Sequence, residues 1–183
     1  MLDRHYLHDL APGYDRNQVL NDLMTEYGED VWNFAFFLTR RSDAADDISQ
    51  DAFLAAYKQL YAFRGDCTVK SWLLGITRNK SLNYLRNAFI RKVTLLETVR
   101  PPSGSSPSAE DITFKSMEAK QLWTRVMQLP IKFREVIILD YHYGLSIKQI
   151  AELLGISEGT VKSRENRAKR KMAAMLNHER EGG

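Results

Sequence analysis

Residues 146–171 read SIKQIAELLGISEGTVKSRENRAKRK, and their spacing decides the fold of the second half of the chain. Ala151 is small where another helix must cross closely. Gly155, four residues on, can take the left-handed conformation that turns the chain. Val161, six further on, returns as an apolar peg into a small core beside Ile150, Leu154 and Ile156. This alanine, glycine and valine spacing predicts a helix-turn-helix, with its second helix presented to a DNA major groove. Helix pairs joined by glycine also occur in purely structural bundles. The basic residues beyond Val161 favour the DNA-binding reading over that one.

Stepping about 100° per residue from Val161 puts Ala168 and Met172 on the inward face. The opposite face collects Gly159, Ser163, Asn166, Arg167 and Arg170. Arg167 suits the two acceptors of a guanine and Asn166 the edge of an adenine. Lys162, Arg164, Lys169 and Lys171 flank this stripe and suit phosphates, which position a protein without specifying sequence.

Outward from this motif, proline placement divides the chain. Three of its five prolines fall in Pro101–Ser108, eight residues drawn only from Pro, Gly and Ser. Such a segment cannot bury a core and reads as a flexible linker. The expected organisation is all-α: a helical domain at 15–93, a linker at 94–110 and the helix-turn-helix domain at 111–177. A length of 183 residues allows two small domains. With 44% hydrophobic and 27% charged residues the composition is that of a globular protein. No apolar run approaches the ~18 residues of a membrane span, and the opening MLDRHYLHDLAPG reads as no signal peptide. A single cysteine, Cys67, excludes an internal disulfide and a zinc knuckle, so a reducing cytoplasm is the expected compartment.

The net charge of +3 conceals a polarity along the chain. Residues 1–63 carry 5 Lys/Arg against 11 Asp/Glu, a net of −6. Residues 64–92 carry 7 against 1, for +6, and residues 162–171 carry 6 against 1, for +5. Two basic segments far apart in sequence point to a polyanion touched at two places.

Local signals make the first half helical as well. Asp15 with Gln18 forms the pattern of a capping box, opening a helix toward Tyr27 that resumes from Asp30 to about Thr39. Ser42 is placed to cap a helix over 43–61 and Thr68 one over 69–92. In the second half Ser108 and Asp111 suggest a capped start and Leu129-Pro130 a break. Helices are then expected at 131–142, 146–154 and 158–176. The run Val136–Leu139 has strand composition, but its helical neighbours and lack of a pairing partner favour helix. Trp32, Phe34, Phe36 and Phe37 are expected in the core.

On the 69–92 helix, Leu73, Leu74, Thr77, Tyr84, Leu85 and Ala88 form a plausible core face. Trp72, Ile76, Asn79, Asn83 and Arg86 line the other side. An exposed aromatic followed by amides and an arginine suits unstacked single-stranded bases. Arg64, Lys70, Arg78 and Lys80 would add phosphate contacts. The competing reading buries Trp72 and leaves the asparagines solvated. The 43–61 helix instead gathers Asp43, Asp47, Gln50, Asp51 and Leu54 on one face. Such a face is either a solubilising surface or a docking site for a basic protein partner.

Together, DAADDISQDAFLAAYKQLYAFRGDCTVKSWLLGITRNKSLNYLR and LPIKFREVIILDYHYGLSIKQIAELLGISEGTVKSR resemble conserved regions 2 and 4 of the extracytoplasmic-function (ECF) sigma factors of bacterial RNA polymerase. The resemblance spans roughly residues 18–92 and 115–175 and implies roles position by position. Asp47, Gln50, Asp51, Phe53 and Tyr57 fall where the family docks on the clamp of the polymerase largest subunit. Phe63, Arg64, the loop Gly65, Asp66, Cys67 and Thr68, and then Trp72, Arg78, Asn79, Lys80, Asn83 and Arg86, fall where it binds the minus-ten element and captures a flipped base. Gly159, Thr160, Lys162, Ser163, Arg164, Asn166, Arg167 and Arg170 fall where it meets the minus-thirty-five element as duplex. Core polymerase, including the flap of its second-largest subunit, promoter DNA and an anti-sigma factor, in this family often anchored in a membrane, are the partners so implied. Glu165 departs from the family, which usually has an apolar residue there.

A two-domain helix-turn-helix regulator would explain the second half but not the acidic face or the Trp72–Asn83 stripe. An enzyme is disfavoured. His5, His8, His142 and His178 make no metal-ligand spacing with Cys67, and no phosphate-binding glycine loop or nucleophile elbow is present. No cofactor or metal is expected. A redox role for Cys67 lacks a second cysteine.

Overall fold

The computed structural model describes residues 15–95 and 117–181. The chain divides into two compact units, within Met1–Gly104 and Ser105–Gly183. Every described element is helical, as the periodicity predicts.

The first unit packs α1 (Arg16–Thr39), α2 (Ser42–Gln59) and α3 (Val69–Leu95) against one another, with a single 3₁₀ turn at Leu60–Ala62 after α2. Asp15 caps α1, its carboxylate accepting the Asn17 N–H at 2.8 Å. The expected reciprocal half of the box is absent, because Gln18 donates instead to Asp22 at 2.9 Å. Nor does α1 break after Tyr27. Gly28 costs roughly 1 kcal/mol of helix propensity, but buried Tyr27 and Val31 on either side carry the helix through. It ends at Arg40, whose left-handed backbone (φ 58°) directs its N–H to the Phe36 carbonyl. Ser42 does not cap α2; it is the first helical residue, and the preceding Arg41 uses its guanidinium to hold Asp43, Nε to Oδ1 at 3.0 Å. That hydrogen bond holds the Asp43 carboxyl below its ordinary range.

The unit's core joins Val19, Leu23, Tyr27 and Val31 of α1 to Ala52, Phe53 and Ala56 of α2 and to Val69 and Leu73 of α3. Ala45, Ala52 and Ala56 are fully buried, and their small size lets the helices approach closely. Phe34, Phe36 and Phe37 are buried as expected, while Trp32 is half-buried, stacked on Phe36 at 5.4 Å with its indole N–H on Asp46.

In the second unit α4 (Met117–Gln128) stops at Leu129, and Pro130 opens α5 (Ile131–Ile137). The Val136–Leu139 run is buried and helical, continuing into a widened π turn at Ile138–His142. Ser146 and Gln149 form a complete capping box at the start of α6 (Ile147–Leu154). Gly155 then turns the chain in the left-handed region (φ 66°), and α7 (Glu158–Glu181) follows. Ile150, Ala151, Leu154 and Val161 are buried together as the motif requires. Helix α3 runs to Leu95, two residues into the segment read as linker. Residues 96–110, and the start suggested by Ser108 and Asp111, lie outside the described residues.

Candidate nucleic-acid interface

Helix α7 is anchored by Val161 and Ala168, 1% and 0% exposed, which fixes the opposite face outward. Gly159, Lys162, Ser163, Asn166, Arg167, Arg170 and Lys171 are all exposed. Thr160 is half-buried in the first turn, where its N–H meets the Ser157 hydroxyl at 3.2 Å and the two hydroxyls pair at 2.9 Å.

Two cations expected on phosphates are held by the protein instead. Arg164 turns inward and donates to Oε1 of Glu135 on α5 at 3.0 Å, against a carboxylate side chain only 2% exposed. Lys169 is bonded by Glu165, one turn earlier, and lies over the Tyr141 ring at 5.5 Å. Hydrogen bonding to Glu165, and less so to the Tyr141 side chain, pushes the Lys169 pKa up.

Glu165 itself is largely covered, its side chain 17% exposed, as its position near Val161 on the wheel suggests. Its charge also acts on Asp140 in the π turn, whose pKa is raised first by burial and then by Glu165. A carboxylate with a raised folded pKa loses stability as pH climbs from its ordinary value through the raised one. Replacing Glu165 by Leu removes that repulsion and adds apolar burial, against the loss of one exposed ion pair. The variant is expected to stabilise the second unit by about 1 kcal/mol, with the larger gain at neutral pH. Urea unfolding at neutral and acidic pH measures it, and a loss of stability would refute the balance.

In the first unit Thr68 caps α3, accepting the Ser71 N–H at 3.1 Å. The loop before it turns at Gly65, whose φ of +74° favours glycine. Arg64 and Asp66 are exposed there, and Cys67 is half-buried. Trp72, expected to be exposed, is half-buried and packs on Phe63 with ring centroids 5.0 Å apart. Ile76 is likewise packed against the core. The pair therefore forms a fixed aromatic wall beside the loop rather than a free stacking plate. Further along, Asn79, Asn83 and Arg86 are exposed, and Arg86 donates to the Asn83 side-chain oxygen at 3.2 Å. Arg78 is half-buried. Lys80 lies 3.7 Å from Asp51, and Lys70 pairs with Asp30 at 2.7 Å.

The acidic face of α2 is present. Asp47, Gln50, Asp51 and Leu54 are exposed together, Leu54 at 55%. Phe53, read with them, is 5% exposed and belongs to the core, which corrects that assignment. Tyr57 is half-buried beneath Arg16, whose guanidinium sits 4.2 Å from the ring centroid. Sequence reading missed this clamp because Arg16 and Tyr57 lie 41 residues apart. Among the described residues no cluster of three His, Cys, Asp or Glu side chains could hold a metal ion, and no helix is long and apolar enough to cross a membrane.

Residues 23–89 match the sigma-70 region 2 family and residues 119–172 the sigma-70 region 4 family. The chain is 33% identical to the ECF RNA polymerase sigma factor SigM of Mycobacterium tuberculosis, over 86% of this chain and 77% of that protein. It is 26% identical to the RNA polymerase sigma factor YlaC of Bacillus subtilis, over 88% and 94%. Its fold is similar to that of sigma factor RpoE of Bartonella quintana, solved with the anti-sigma factor NepR (TM-score 0.71, 24% identity, 86% of this chain and 96% of that one). CnrH, solved with the cytosolic domain of CnrY, gives a TM-score of 0.68 at 25% identity, over 97% and 99%. Both halves match in the order and spacing of one family, so the chain belongs to the ECF sigma factors of bacterial RNA polymerase, with which it directs transcription initiation.

Proposed function

We propose that the two units divide promoter reading between them. The first docks on the polymerase clamp through Asp47, Gln50 and Asp51, and captures an unstacked minus-ten base along the Phe63–Trp72 wall, the Gly65–Thr68 loop and the Asn79–Asn83–Arg86 stripe. The second reads the minus-thirty-five duplex with Lys162, Ser163, Asn166 and Arg167. The observation that carries this reading is the pairing of faces within one small unit. An acidic stripe on α2 suits a protein partner, and exposed amides and a cation on α3 suit bases. An ordinary helix-turn-helix regulator needs neither face.

Base flipping costs a few kcal/mol per nucleotide, so minus-ten capture alone should not melt a promoter. Tethering to a duplex reader raises the local concentration of the melting unit, and polymerase fixes the separation. The work is binding and conformational, with no bond chemistry by this chain, and it takes place in the cytoplasm. An anti-sigma factor is the third partner on this reading; the complexes of RpoE with NepR and of CnrH with the cytosolic domain of CnrY support it.

Holoenzyme carrying Asn79→Ala should bind upstream duplex normally and form open complexes poorly, a defect relieved on pre-melted templates. Holoenzyme carrying Arg167→Ala should instead lose preference at one upstream base pair, by about 1–3 kcal/mol. Footprinting and transcription on promoters selected from random fragments separate the two. The same defect in both variants on pre-melted DNA would rule the division out.

A further inference from the structure

The basic segment of α7 holds six Lys/Arg between residues 162 and 171, and one of them is withdrawn by a buried acid on another helix. Glu135 lies on α5, 29 residues before Arg164, with its side chain 2% exposed. Arg164, 24% exposed, reaches back to it at 3.0 Å. On the wheel Arg164 stands about 60° from Val161 on one side and about 60° from Arg167 on the other. It sits at the seam between core and reading face. A flexible arginine there could turn either way, and the Glu135 carboxylate decides which.

We propose that Glu135 is a positioning residue for promoter recognition: its buried carboxylate draws Arg164 away from DNA, fixing the roll of α7 and removing a cation that would bind phosphate regardless of sequence. This rests on the reading of α7 as the duplex-reading helix. A phosphate contact strengthens binding to every sequence alike, so each unselective cation on the reading face dilutes the discrimination supplied by Asn166 and Arg167. A buried acid also needs a hydrogen-bonded partner, and Arg164 supplies one, so a single contact serves packing and selectivity.

The test measures how binding of the full chain to random-sequence duplex falls with salt. Each phosphate neutralised contributes about −0.9 to the slope of log affinity against log salt concentration. Arg164→Ala should leave the slope unchanged, because Arg164 does not face DNA. Glu135→Met, similar in length but without acceptor oxygens, should free Arg164 and steepen the slope by about one contact. Glu135→Met with Arg164→Ala should return it to the starting value. A merely structural role for Glu135 predicts weaker binding that Arg164→Ala does not correct. A slope shallower by about one contact in Arg164→Ala, or no steepening in a folded Glu135→Met protein, overturns the proposal. If Glu135→Met fails to fold by circular dichroism, the Arg164→Ala slope decides alone. Combined Lys162→Ala and Lys171→Ala, both exposed and suited to phosphates, is the control for the underlying reading: if it too leaves the slope unchanged, α7 does not face the duplex at all.

Discussion

Combined Asp47→Arg and Asp51→Arg substitution is expected to abolish binding to core polymerase while leaving the protein folded. Both side chains are exposed on α2, opposite the buried Ala45, Ala52 and Ala56, so their replacement disturbs no core contact. The pairing of Asp51 with Lys80 at 3.7 Å is solvent-exposed and contributes little to stability. At a desolvated interface with a basic partner, by contrast, reversing two charges replaces attraction with repulsion and should cost several kcal/mol. Co-purification with core polymerase, beside a circular dichroism melt, reads both halves of the expectation. A folded double variant that still co-purifies would move docking to another surface.

Phe37→Ala should have the largest effect on stability, about 3–5 kcal/mol lost from the first unit. The ring is fully buried near the end of α1, with the Phe36 ring centroid 6.5 Å away. Truncation removes the apolar transfer energy and leaves a void that well-packed helices fill only in part. For a unit of this size such a loss is a large share of the total. Urea unfolding of single-tryptophan variants separates the halves, Trp72 reporting the first unit and Trp123 the second. The Trp72 transition should shift while the Trp123 transition stays. Equal shifts would mean that the halves unfold as one.

What could be read from the chain depended on how far apart the deciding residues lie. The helix-turn-helix was legible because Ser146, Gln149, Ala151, Gly155 and Val161 fall within 16 residues and each has a local job. The acidic stripe and the exposure of Asn79 and Asn83 follow from helical period alone. Phe53 was misplaced because a likeness assigned it; its wheel position, on the inward edge near Ala52 and Ala56, already argued for the core. Gly28 shows the opposite error, in which local punctuation was outweighed by packing on either side, while Ser42 lies inside the helix because α2 starts one residue earlier than a serine cap requires. The partners of Arg164, Tyr57 and Trp72 were not legible at all. Each is captured by a residue on a different element, and periodicity says which face a side chain leaves by but not what meets it.

The burial pattern of α3 has a mechanical consequence. Val69, Ser71, Leu73, Leu74, Thr77 and Ser81 are buried, the two later hydroxyls bonding back to the Leu73 and Thr77 carbonyls. Beyond Ser81 none of the described side chains, through residue 91, is buried, although the helix continues to Leu95. At about 1.5 Å per residue, some 15 Å of helix from Ser81 to Arg91 runs past the last buried side chain, with Leu82, Tyr84, Leu85 and Ala88 only half-buried along it. The rod is clamped at one end. Force applied at Arg86 acts about 8 Å beyond the last buried side chain, whereas force at Trp72 meets the clamp itself. A ligand lying along α3 is therefore gripped stiffly at the loop end and compliantly at the far end, so strand geometry can vary at the second without disturbing the first.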